Sequence, residues 1–225
     1  MILDPIQIRV LGALIEKEIA TPETYPLSLN ALLAACNQRS SRDPILDLKE
    51  DEIRQALHTL EDAGYTAVVR DSRVPKYEHR IRTVLNLRRD ETAVLCLLFL
   101  RGPQTPGELR SRADRLYSFD GLEAVESTLA RLMSAPAEEA TMRPLVTVLP
   151  RQPGSREARY AHLVGGPVEA ASHPGVPAPP ARSQGFEPTL ATRVTELEAE
   201  VATLRASVLA IETKLEGFAP GEPTD

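Results

Sequence analysis

The feature that most constrains this chain is a degenerate internal repeat. Ser72-Arg73-Val74-Pro75-Lys76-Tyr77-Glu78-His79 and Ser155-Arg156-Glu157-Ala158-Arg159-Tyr160-Ala161-His162 both fit Ser-Arg-x-x-(Lys/Arg)-Tyr-x-His, at an offset of 155 − 72 = 83 residues. Upstream, apolar runs at residues 10–15 and 94–100 are each followed by Thr-Pro, as Thr21-Pro22 and Thr105-Pro106, at an offset of 105 − 21 = 84. Between these landmarks Ile53, Leu57 and Leu60 recur as Val125, Leu129 and Leu132, which is i, i+4, i+7 in both and so one helical face. The offset there is 125 − 53 = 72. A chain that repeats itself in this way folds as two copies of one unit, with loops of unequal length absorbing the changing offset.

Each copy reads as three helices followed by two strands. In the first, helices are expected over residues 5–19, 27–36 and 50–63, with Gly64 stopping the third. Alternating β-branched stretches at 65–70 and 77–87 then suit two strands joined by the basic loop 71–76. The second copy repeats the order with helices at 89–100, 106–116 and 121–133 and strands near 145–149 and 159–164. Thr105 and Asp120 each stand three residues before a Glu, the signature of a capping box. The expected fold is mainly α with short β-hairpins, as two tandem winged-helix domains over residues 1–88 and 89–166.

Beyond them the composition changes. Residues 165–188 hold six prolines and four glycines in 24 positions, so 167–188 are expected to form a disordered linker. From 189 to 216 the apolar positions Leu190, Val194, Leu197, Val201, Leu204, Val208, Ile211 and Leu215 alternate in spacings of 4 and 3, a heptad seam. Valine at a and leucine at d favours a parallel two-stranded coiled coil, and Arg193 would face Glu198 of a second copy. The competing reading is a lone amphipathic helix folded back on the body. Residues 217–225 are expected to be a disordered tail.

The stretches Glu16-Lys17-Glu18, Tyr25-Pro26-Leu27-Ser28-Leu29-Asn30, Ala35-Cys36-Asn37-Gln38, Arg42-Asp43-Pro44, Arg101-Gly102-Pro103-Gln104-Thr105-Pro106-Gly107-Glu108-Leu109-Arg110 and Leu149-Pro150-Arg151 resemble those of the YceH-like bacterial proteins. The resemblance covers roughly residues 6–166. It implies tandem winged-helix domains and assigns no biochemical role. Lys49 departs from it, standing where a Ser would cap the third helix, and a lysine is a poor cap.

The net charge of −6 argues against nucleic acid only until it is divided. Residues 1–166 hold 22 Lys+Arg and 23 Asp+Glu, whereas 167–225 hold 4 and 9, so nearly all the acidity lies in the tail. Within the body, residues 70–89 carry seven cations against Asp71 and Glu78, a local +5 that a phosphate backbone could use. Contact with duplex DNA is therefore expected through the wings, at Arg73, Lys76, His79, Arg80, Arg156, Arg159 and His162. Arg39, Arg42, Arg54, Arg110, Arg112 and Arg115 would help. Against base reading stands the third helix, which opens Glu50-Asp51-Glu52 and would drive carboxylates toward phosphates. Arg110, Arg112 and Arg115 also fit a solvated helix face interleaved with Glu108 and Asp114.

Catalysis and cofactors find no support in the sequence. There is no phosphate loop, nucleophile elbow or HExxH, and Glu16 and Glu18 lie on different helix faces. Cys36 and Cys96 are far apart in apolar segments, and four scattered histidines make no zinc site, so no metal or cofactor is expected. Aromatics at 4% argue against a base-stacking platform. With no signal peptide and no apolar stretch long enough to span a bilayer, the protein is expected to be cytoplasmic with no membrane partner. Two functions stay open: a dimeric DNA-binding regulator or architectural protein, and a scaffold whose winged helices dock an unidentified protein partner.

Overall fold

A computed structural model describes residues 2–70, 73–134, 144–151 and 157–167. The expected linker, the heptad positions 190–215 and Arg156 lie outside these residues.

Asp4 starts α1 (Pro5–Ala20) with a complete capping box. Its Oδ1 accepts from the amides of Ile6 and Gln7, and the Gln7 side chain accepts from the Asp4 amide. A 3-10 turn (Pro22–Thr24) leads to β1 (Leu27–Ser28), and the Ser28 hydroxyl caps α2 (Leu29–Cys36). After α3 (Glu50–Asp62), strands β2 (Thr66–Val69) and β3 (Lys76–His79) form a hairpin. The sheet order is β1-β3-β2, all antiparallel, with Leu27 opposite Tyr77 and Val68 opposite Tyr77 on the other side.

A short α4 (Ile81–Val84) follows, then α5 (Arg89–Arg101), α6 (Pro106–Ala113) and α7 (Leu122–Met133), and the hairpin of β4 (Val146–Val148) and β5 (Tyr160–His162). An isolated antiparallel bridge joins Gln104 to Tyr160, just before α6. The described residues are thus mainly helical with a few short antiparallel strands, in a winged-helix-like arrangement.

Four expectations are corrected. Residues 27–28 are a strand rather than the start of a helix, because they pair with β3. The second strand stops at His79, and Ile81 turns inward as a fully buried helical residue instead of continuing to 87. Asp120 caps nothing: α7 starts from Gly121 with no side-chain cap. Thr21-Pro22 and Thr105-Pro106 are not equivalent, since Thr105 caps α6 whereas the matching cap of α2 is Ser28, seven residues after Thr21. The intervening turn separates the two, so the shared offset of 84 was coincidental at that landmark.

Across position 88, where a boundary between two domains is expected, the hydrophobic core runs on without a break. Residues 7–15 of α1 and 91–100 of α5 are buried on every side. They meet at Gly12, whose missing side chain admits Leu100 and Phe99, and the Cys96 thiol donates to the Gly12 carbonyl at 3.4 Å. Two backbone bonds reinforce the junction, Asp43 N–H to Leu100 O at 2.8 Å and Leu3 N–H to Val164 O at 3.0 Å.

Candidate nucleic-acid interface

The first hairpin is set against α3 by the way that helix ends. Gly64, at φ +76°, takes the left-handed position, and a Schellman pair forms, Tyr65 N–H to Leu60 O and Gly64 N–H to Glu61 O. The chain therefore reverses into β2 alongside the helix it has left. From the sheet's inner side, the Tyr25 hydroxyl accepts from the His79 amide at 2.7 Å.

Between α3 and the hairpin lies an open cleft of about 480 Å³. Helix α3 lines it with Arg54, Leu57, His58 and Glu61; the strands and the turn supply Val68, Arg70, Arg73, Pro75 and Tyr77. A second cleft of about 530 Å³ shares Arg54 and Arg73 and adds Ser28, Leu29, Asn30 and Lys76. Arg54 is exposed and bonds to Glu50 one turn earlier, at 2.5 Å, a contact that holds its guanidinium pKa above the usual value. Arg70, Arg73 and Lys76 have no carboxylate partner among the described residues.

The three acids at the start of α3 have a local role. Lys49 does sit at the N-cap and its side chain caps nothing, but the Glu52 carboxylate reaches back to the Lys49 amide at 2.7 Å. Glu50 and Asp51 complement the positive end of the helix dipole. The missing cap is thus replaced by charge.

Other expected contacts are placed elsewhere. Arg42 is buried, bidentate to Glu16 at 2.6 and 3.1 Å and bonded to Ala35 O and Gln38, so it holds the loop after α2 and cannot reach phosphate. His79 is also buried, its Nε2 at 2.9 Å from Glu18, whose pKa that hydrogen bond lowers. The His162 ring packs edge-on to Phe99, and burial lowers its pKa to about 4, so it is neutral near pH 7. Neither ring is presented to a phosphate: that of His79 is taken up by Glu18 and that of His162 lies against Phe99.

Arg159 is tied to Glu108 at 3.0 Å and to Pro103 O at 2.8 Å, and Arg112 to Gln104 at 2.6 Å. Arg80 lies 3.5 Å from Glu78 with its side chain exposed; Arg39, Arg110 and Arg115 are exposed. Sequence reasoning missed the apolar and aromatic part of the cleft lining, Leu57, Val68, Pro75 and Tyr77. It also missed buried Arg9, which donates to Cys36 O and Pro44 O, although a lone arginine inside an apolar run was a usable signal.

The residues expected to repeat this place differ from it. In the register that matches Ile53 with Val125, Arg54 and His58 correspond to Glu126 and Ala130. Arg131, the one cation of α7, is consumed by Asp90 and Glu91 of α5. Among the described residues no cluster of His, Cys, Asp or Glu could hold a metal, and no helix is long and apolar enough to cross a membrane. Cys36 and Cys96 are buried free thiols, and burial pushes Cys36 up to about 12, so neither is a ready nucleophile.

Comparison with known proteins adds kinship without an activity. The family model described as "Protein of unknown function, DUF480" matches residues 3–155. A UPF0502 protein of Koribacter versatilis is 53% identical over 206 residues, covering 91% of each chain. One of Aeromonas hydrophila is 44% identical over 226 residues, covering 96% of this chain and 97% of its own. Another, of Chromobacterium violaceum, is 44% identical over 217 residues, with 96% and 93% covered.

Proposed function

This chain belongs to the DUF480 family, and from that premise we propose that it is a non-enzymatic, cytoplasmic nucleic-acid-binding protein built of two tandem winged-helix units. In this reading the first unit carries the contact. The observation behind it is the convergence of Arg54, Arg70, Arg73 and Lys76 on the clefts between α3 and its hairpin, three of them without a carboxylate partner among the described residues. Contact is to the backbone and independent of sequence, because the bases of a major groove would meet Glu50, Asp51 and Glu52 first. The heptad segment would join two chains into a parallel dimer, doubling the contacts on one strand or duplex.

The scaffold reading keeps one observation of its own. In the second unit α7 exposes Leu122 together with Glu123 and Glu126, and β4 exposes Val148, groups better suited to a protein than to phosphate.

Titrating the full chain with a random-sequence DNA, offered as duplex and as separated strands, tests the proposal. Four phosphate contacts imply binding near 50 mM salt that weakens about a hundredfold by 200 mM. If neither form binds at 50 mM salt, the nucleic-acid reading is wrong.

A further inference from the structure

We propose that the paired clefts of the first unit hold unpaired nucleotides, so that the ligand is a single strand in preference to an intact duplex. This deepens the nucleic-acid reading and rests on it.

Three observations carry it. First, the site is more than a charged surface: beside Arg54, His58, Glu61, Arg70 and Arg73 its lining includes the apolar Leu57, Val68 and Pro75 and the ring of Tyr77. A phosphate needs only the cations, whereas a base needs the apolar wall. One half-buried tyrosine suffices to stack one base, although a 4% aromatic content rules out an extended platform.

Second, the two open clefts, of about 480 and 530 Å³, share Arg54 and Arg73. A phosphate bridging two nucleotides can sit on that arginine pair while a base enters on either side. Third, the carboxylates of Glu50, Asp51 and Glu52 occupy the leading end of α3, the end that a helix presents to a duplex groove. The cations begin one turn later. A lone strand can follow the middle of α3 without bringing a second backbone onto those acids.

Fold alone does not create this site. The second unit has Glu126 and Ala130 in the places of Arg54 and His58, and Arg159, the counterpart of Lys76, is pinned to Glu108 and Pro103.

Fluorescence anisotropy with the full chain decides the matter, using three probes of equal length: a mixed-sequence DNA strand, its blunt duplex, and an abasic strand. The strand should bind about tenfold tighter than either of the others, the usual scale of one stacked base. Arg54→Ala and Arg73→Ala should weaken every probe; Tyr77→Leu, which keeps apolar volume, should weaken only the base-bearing strand; Arg159→Ala should change nothing. Equal or tighter binding of duplex or abasic strand would overturn the inference and leave the broader nucleic-acid reading standing. Binding of none of the three would remove both. Loss of binding in Arg159→Ala would overturn the confinement to the first unit.

Discussion

Arg42 and Arg54 are the same side chain twelve positions apart with opposite roles, and desolvation separates them. Arg42 left water for Glu16, the Ala35 and Ser41 carbonyls and the Gln38 side chain, and Arg54 stayed exposed beside Glu50. His162 shows the same logic for a titrating group. Its ring is buried against Phe99, and its pKa falls from 6.5 to about 4. Between those values the unfolded chain binds the proton more readily than the folded one, so stability declines as pH falls from about 6.5 toward 4 and this loss then levels off. The size of the effect is about 3 kcal/mol. Urea denaturation at pH 7.5, 5.5 and 4.5 should show that slope, and His162→Phe, which preserves the edge-on contact, should flatten it. What persists below about pH 4.5 would belong to groups such as Glu18, whose lowered pKa makes its stabilisation disappear only in more acid solution. An unchanged slope in His162→Phe would refute the assignment.

At the scale of elements, the tightest contact is that of α1 with α5, and Gly12 makes it possible. A β-carbon there would stand 2.8 Å from Leu100 Cδ2 and 2.9 Å from its Cγ. Gly12→Ala improves helix propensity by roughly 1 kcal/mol, yet overpacking costs about 1–3 kcal/mol, so net destabilisation is expected. A lowered midpoint of thermal unfolding is the check, and a raised one would mean that α5 shifts freely. Most elements were legible in the sequence because each has a local cause: the stripe Ile53, Leu57, Leu60, the Gly64 stop, the Thr105 box with Glu108. The misreadings arose where tertiary pairing decides. Nothing local distinguishes Leu27–Ser28 as a strand until Tyr77 lies beside it, and nothing local ends β3 at His79 until Ile81 finds the core. The candidate site divides likewise. Its arginines were visible as charge, but its apolar lining was invisible, since Leu57 and Tyr77 read as ordinary packing residues until one cleft brings them together with Arg54.

For the whole molecule the question is whether residues 1–88 and 89–166 are stable units in their own right. A helix that is amphipathic can leave one face to solvent, but α1 is buried from Gln7 to Ile15 all round, and α5 from Glu91 to Leu100. Each helix therefore packs against elements on both sides of position 88. Cutting the chain after residue 88 would leave the α5-facing side of α1 in water, removing the contacts of Gly12 and Val164 and stranding the Asp43 amide that bonds to Leu100 O. A fragment of under 90 residues has little stability to spare. Residues 1–88 alone should thus lack cooperative unfolding, while the full chain should lose its α1 and α5 structure in one transition. Hydrogen exchange reads this directly, because amides of the two helices should exchange with a common opening free energy near the global value. Two separated transitions, or a well-folded 1–88 fragment, would show that each copy holds itself together. A single transition would make α1 to α7 and their hairpins one cooperative body, in which α5 steadies α1 through the packing of Phe99 and Leu100 on Gly12.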